Sequence, residues 1–202
     1  MSRSSKHLPA EERRKLIIET VIKLSAQQNP KNLTTEAIAR HMNVTQGALF
    51  RHFSTKEAII KATIGWIGEK LKDIIDVALN EKGSVLSILK NIFMAHVDFI
   101  VKHPGVPHLM LAELQRSETT ETKRLVKSFF TYYKTHLYNL FEQGKTLGEF
   151  NPQINNEAAI VLFIGSIQGL VLQSLIVGDI NYIRHNASKV FSIYQQSLRS
   201  AP

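Results

Sequence analysis

Apolar residues recur at three- and four-residue intervals along almost the whole chain, and no stretch alternates strictly between apolar and polar. That pattern predicts helices throughout and no strand. Leu16, Ile17, Thr20, Val21 and Leu24 share one face of a first helix expected from about Pro9 to Gln28. Pro9 suits a first helical turn, Glu11 and Glu12 favour its positive end, and Asn29-Pro30 stops it.

Three short units follow, each with a start signal. Thr34 is placed to cap a helix over 35–42, with Leu33 and Ile38 as a hydrophobic staple. Thr45 is placed to cap a helix over 46–52, with Val44 and Leu49 as the corresponding staple. Ser54-Thr55-Lys56-Glu57 reads as a capping box that opens a fourth helix at Ser54 and carries it to about Asn80. Ile60, Ile64, Ile67, Leu71, Ile74, Ile75 and Leu79 make the apolar face of that helix, and Gly83 ends it. Further helices are expected over about 84–102, 107–115, 118–143 (ending at Gly144), 156–177 (ending at Gly178) and 180–198. The fold class is all-α with about nine helices.

Charge changes the picture by its placement. Residues 1–56 carry ten Lys/Arg against four Glu, a net +6, while the remaining residues carry only +2 of the total +8. A localised positive field attracts polyanions, because each phosphate neutralised releases condensed counterions. Cysteine is absent, which excludes disulfides, thiolate metal sites and a cysteine nucleophile, and fits a reducing cytoplasm. Residues 1–10 lack the apolar run of a secretory signal.

The basic segment contains Thr34-Thr35-Glu36-Ala37-Ile38-Ala39-Arg40-His41-Met42-Asn43-Val44-Thr45-Gln46-Gly47-Ala48-Leu49-Phe50-Arg51-His52-Phe53. Ala39 is small enough for a second helix to cross closely over the first. Asn43 stands where a tight turn needs left-handed backbone, which Asn tolerates better than most residues. Two short helices joined in this way can place the second in a major groove. The stretch from Thr34-Thr35 to Lys56-Glu57, and above all Val44 to Glu57, resembles the DNA-binding head of the TetR/AcrR family of bacterial regulators, the match covering about residues 10–60.

Chemistry then suggests individual roles. Gln46 has the amide to read a base edge, adenine in particular. Gly47 lets backbone approach DNA, and Thr45 combines capping with a phosphate contact. Arg51 can reach a base or a phosphate. His52 and Lys56 suit phosphate positioning, Lys56 at a helix N-terminus that itself favours an anion. Thr34 and Thr35 can donate to phosphate. The family usually has Tyr where this chain has Phe50, so one hydroxyl donor is missing while the ring remains available for packing. Phe53 reads as core. Arg3, Lys6 and His7 form a basic arm, suited to a minor groove or to solvent.

The resemblance implies an N-terminal three-helix helix-turn-helix head, residues 1–56, and a larger body, 57–202, that binds an effector and dimerises. Trp66, Phe93, Val97, Met110, Phe130, Tyr133 and Phe163 are the candidate lining of an effector pocket, although each is also what an ordinary core would use. Met94, Leu111 and Phe129 fall in the same stretches. Residues 158–178 contain no charge, long enough to raise a membrane span. Ser166, Gln168, Gln173 and Ser174 at helical spacing, with Gly165 and Gly169 four apart, instead suit a buried pairing surface. A homodimer through the helices near 156–177 and 180–198 is therefore expected, and no membrane partner. Two heads related by a two-fold axis would read a palindrome in successive major grooves roughly 34–36 Å apart.

His96, His103 and His108 are spaced too irregularly for one metal site, and no cofactor is expected beyond an unidentified small-molecule effector. No phosphate loop, activated Ser or His-x-x-x-His pair suggests an enzyme. The expected function is a cytoplasmic, nucleoid-associated, sequence-specific transcriptional regulator, a repressor released from its double-stranded operator by ligand. The alternatives are an effector-free DNA-bound structural or division-control protein with a filled body, and an activator.

Overall fold

The computed structural model describes residues 9–199, and the arm of Arg3, Lys6 and His7 lies outside them. Among the described residues the elements are α1 (Ala10–Gln27), a 3-10 turn (Pro30–Asn32), α2 (Thr35–His41), α3 (Gln46–Phe50), α4 (Lys56–Leu79), α5 (Val85–Lys102), α6 (Gly105–Leu114), α7 (Glu121–Thr146), α8 (Asn156–Val177) and α9 (Asn181–Ser197). The all-helical expectation holds.

Several boundaries differ from those read in the sequence, each for a local reason. α4 starts at Lys56 because Thr55, not Ser54, is the cap: its hydroxyl accepts from the Ala58 N–H at 3.0 Å. α7 starts at Glu121 because the Thr120 hydroxyl accepts from the Lys123 N–H at 3.0 Å. α6 begins two residues before Pro107, since a proline in the first turn has no donor to lose there. Gly144 does not end α7. It is buried inside the helix, where a Cβ would sit 2.2 Å from the Phe150 ring, and the chain turns at Gly148 with φ +72°.

The chain forms two compact units. The first comprises the residues up to Gly68 together with His103–Val126, and the second Glu69–Lys102 together with the residues from Lys127 onward. The head expected over 1–56 is thus part of a larger unit that includes α6 and the first turns of α4. Gly105 of α6 lies so near α1 that a Cβ would be 1.8 Å from the Ile22 carbonyl oxygen. Ile17, Val21, Leu33, Ile38, Leu49, Phe53 and Ile59 are buried in this unit.

The second unit is built on aromatics. Phe93 of α5 meets Phe163 of α8 edge-on at 5.4 Å and Phe191 of α9 at 5.3 Å, and Phe163 meets Tyr194 at 5.6 Å. The Tyr194 hydroxyl donates to the Ala159 carbonyl at 3.0 Å, tying α9 to α8. Asp98 of α5 accepts from Arg184 of α9 at 2.6 Å and pairs with Lys102 at 2.5 Å, and these cations hold its carboxyl below the usual range. Glu149, just past Gly148, spreads its two carboxylate oxygens onto the first N–H groups of α5, Val85 at 3.0 Å and Leu86 at 3.1 Å. α8 keeps Phe163, Ile164, Ile167 and Leu170 buried while Val161, Leu162, Leu172, Leu175, Ile176 and Val177 are exposed.

Candidate DNA-binding face

The helix-turn-helix is fixed by two caps and one turn. Thr34 accepts from the Ala37 N–H at 3.0 Å and Thr45 from the Ala48 N–H at 3.2 Å, so each threonine starts its helix. A capping hydroxyl that accepts keeps its own hydrogen for donation outward. Between the helices Asn43 adopts φ 54°, the left-handed conformation its sequence position calls for. The turn is closed by Asn43 N–H to the Arg40 carbonyl at 3.1 Å and Val44 N–H to the Ala39 carbonyl at 3.0 Å. Ile38, Ala39 and Leu49 are buried beneath, so the opposite edge of α3 faces out.

The structure brings most of the predicted contact residues onto one exposed edge. Gln46, Gly47, Phe50 and Arg51 are exposed, as are the capping residues Thr34 and Thr45; Thr35, His52 and Lys56 are half-buried. A Cβ at Gly47 would meet nothing nearer than the Thr45 hydroxyl at 3.9 Å, so the backbone there is bare to an approaching surface. Phe50 is 43% exposed, unusual for so large an apolar ring, whereas Phe53 is buried as expected of core. The Gln46 side-chain amide donates to the Thr35 hydroxyl at 2.6 Å, joining the starts of α2 and α3 directly.

Two residues of α1 belong to this face although the sequence marks them only as charge. Arg14 lies over the Phe53 ring at 4.3 Å and donates to the His52 carbonyl at 2.9 Å, clamping the end of α3 to α1. Arg13 lines a shallow depression of about 570 Å³ with Met42, Asn43, Thr45, Arg51 and His52. The three consecutive bases Arg13-Arg14-Lys15 were the available signal, but which of them turns inward depends on where Phe53 sits. The depression has two arginines and no acid. A larger open cleft of about 810 Å³ in the same unit is lined by Lys31, Lys56, Lys61 and Arg116 but equally by Glu57, Glu113, Glu118 and Glu121. Lys61 and Glu121 pair at 2.7 Å across it, and the balance of charge gives it no pull on a polyanion.

The candidate effector residues fall into both units. In the first, Trp66 meets His103 edge-on at 5.4 Å and Met110 is half-buried. In the second, Phe93, Val97, Tyr133 and Phe163 are buried, with Tyr133 and Phe163 6.4 Å apart, and Phe130 is half-buried beside Phe129 at 5.7 Å. The His96 Nδ1 lies 3.2 Å from the Tyr133 hydroxyl. Burial lowers the His96 pKa to about 4, leaving a neutral ring at pH 7, and pushes the Tyr133 phenol up.

Residues 17–63 match the family model described as bacterial regulatory proteins, tetR family. The chain is similar to the nucleoid occlusion factor SlmA of Haemophilus ducreyi, 28% identical over 135 residues that span 66% of this chain and 67% of the relative. SlmA of Actinobacillus pleuropneumoniae is 25% identical over 175 residues, 86% of both chains. In fold it is similar to the fatty acid degradation regulator FadR from Bacillus halodurans, with a TM-score of 0.80, 19% identity and coverage of 98% of this chain and 100% of that one. The ketosteroid transcriptional regulator KstR2 of Mycobacterium tuberculosis gives a TM-score of 0.79 at 16% identity, covering 94% of this chain and 96% of that one.

Proposed function

Because the chain belongs to the tetR family of bacterial regulatory proteins, we propose that it is a non-enzymatic regulator that binds a palindromic operator as a homodimer and leaves it when a small-molecule effector binds the body. The observation that carries the DNA-binding part is the exposed edge of α3, with Gln46, bare Gly47, Phe50 and Arg51 beside Arg13 and no acid among them. Phosphates would be held by Thr34, Thr35, Thr45, His52 and Lys56, which set register, and bases by Gln46 and Arg51, which set sequence.

The homodimer is supported by α8. It is long and apolar enough to cross a membrane by length and composition, yet one face is built into the aromatic core of the second unit. The other face exposes Val161, Leu162, Leu172, Leu175, Ile176 and Val177, with Ile193 of α9 71% exposed. A Cβ at Gly165 or Gly169 would meet nothing within 4 Å, so a second copy of α8 has room to approach there. An apolar face of this extent is an association surface, and a two-fold pair supplies the second head.

The effector part draws on the similar folds: one structure of FadR from Bacillus subtilis is in complex with stearoyl-CoA. A ligand lowers operator affinity only by its preference between two states of the protein. A second reading is a nucleoid-associated DNA-binding protein without an effector: the SlmA relatives favour the nucleoid association, and the close aromatic packing of Phe93, Phe163, Phe191 and Tyr194 favours a filled body. Selection of bound duplexes from a random pool tests the common part, and a palindrome is expected. Titrating long-chain acyl-CoA into the protein–operator complex then separates the readings, since release supports the first and unchanged binding across the series the second. Recovery of no preferred duplex would refute both.

A further inference from the structure

We propose that Thr35 determines base preference at one operator position by holding the Gln46 amide, as a positioning residue and not merely as a phosphate anchor. The inference rests on the reading of α3 as the recognition helix and adds a residue from α2 to its sequence-reading apparatus.

A glutamine on an exposed helix edge has freedom about three side-chain bonds, and ordering it on a base costs side-chain entropy. Here the amide is already tethered. Its N–H donates to the Thr35 hydroxyl at 2.6 Å, a short bond between two residues 11 apart in sequence. The tether is itself on rigid ground. Thr35 is the first residue of α2, whose start is fixed by the Thr34 cap at 3.0 Å. Gln46 is the first residue of α3, whose start is fixed by the Thr45 cap.

The donor count also constrains what Gln46 can say to DNA. A primary amide has two N–H donors and one carbonyl acceptor. With one donor committed to Thr35, the carbonyl and the other N–H remain, the pair that adenine requires. The Thr35 hydroxyl, having accepted from Gln46, still has its own hydrogen to give. A phosphate that accepts this hydrogen would tie backbone register to base reading through a single side chain.

The test compares wild type, Thr35→Val, Thr35→Ser and Gln46→Ala in competition binding. The competitors are the selected duplex and its three single-base variants at each position, at two salt concentrations, with thermal unfolding checked for every variant. Thr35→Val keeps the shape and removes the hydroxyl. It should cut discrimination at the Gln46-dependent position by roughly three- to tenfold, leave the other positions unchanged, and add nothing in a Gln46→Ala background. Thr35→Ser should restore the discrimination. Equal loss on every duplex, with the salt slope unchanged because the hydroxyl is neutral, would make Thr35 a phosphate anchor alone and overturn the proposal while leaving the recognition helix intact. A Gln46→Ala protein with no position-specific change would overturn it differently, by removing the base reading on which it rests.

Discussion

Replacing Gly105 by alanine is the sharpest single probe of the first unit. The added Cβ would lie 1.8 Å from the Ile22 carbonyl oxygen, 2.9 Å from the Ile22 carbonyl carbon and 3.0 Å from the Ala26 nitrogen. These are backbone atoms of a helix, so no side chain can rotate away. Ordinary carbon–oxygen contact needs roughly 1.5 Å more than the site offers, and a gap above 1 Å forfeits about half or more of the dispersion energy of the atoms lining it. Ile18, Ile22 and Ser25 on α1 and Val106 and Leu109 on α6 are buried at this level. Overpacking of this kind costs about 1–3 kcal/mol, and the reduced freedom of the unfolded chain returns about 0.4–1 kcal/mol, so a net loss of about 1–2 kcal/mol is expected. Gly65→Ala is the control: it lies in α4 of the same unit, a Cβ there meets nothing within 4 Å, and it should stabilise by about 0.5–1 kcal/mol. Urea unfolding at one fixed protein concentration reads both, the fixed concentration being needed because association would shift the midpoint. A Gly105→Ala protein as stable as wild type, or one no worse than Gly65→Ala, would refute the close α1–α6 contact.

Three other expectations follow from the second unit. His96 has a pKa of about 4 when folded against about 6.5 unfolded, so the unfolded chain binds the extra proton between those values and stability falls as pH drops through that window. The residue keeps some exposure, so about 2 kcal/mol should be lost between pH 7 and pH 4.5, read by denaturant midpoints, and His96→Gln should flatten the slope. Glu149→Gln keeps the shape but turns one of the two accepting oxygens into an NH2 that cannot accept, so one N–H loses its partner and the other keeps only a neutral one, which should cost about 1–3 kcal/mol and speed amide exchange at Val85 or Leu86. Leu172→Glu on the exposed face of α8 should convert a dimer to monomer in sedimentation and lower operator affinity at least tenfold while the circular dichroism of the helices is unchanged.

The head was the most legible part of the sequence because its signals are local. Caps at Thr34 and Thr45, the left-handed Asn43 and buried Leu33, Ile38 and Leu49 depend on neighbours a few residues away. The misplaced boundaries mark where that stops. Ser54 and Thr55 are equally good caps in isolation, and only the geometry of the preceding turn chooses Thr55. Gly144 looks like a helix stop, but it is a seat for Phe150, a packing fact no periodicity encodes. Arg14 over Phe53 and the Gln46–Thr35 bond join residues 39 and 11 positions apart, so composition could count them and not place them. The aromatic residues of the second unit were legible as apolar, while their edge-to-face arrangement required three helices to be in place.

The Glu149 carboxylate has a consequence for the order in which this protein can assemble. The donors it satisfies belong to Val85 and Leu86, residues translated 64 and 63 positions earlier. Until the ribosome has released the bend after α7, the Val85 and Leu86 amides have only water, although Ser84 already holds the Ser87 N–H, and a nascent chain arrested before position 149 should leave the start of α5 looser than in the finished protein. The start of α5 is thereby finished by a residue that follows α7, and the second unit itself closes only when α8 and α9 deliver Phe163, Phe191 and Tyr194 to the core around Phe93.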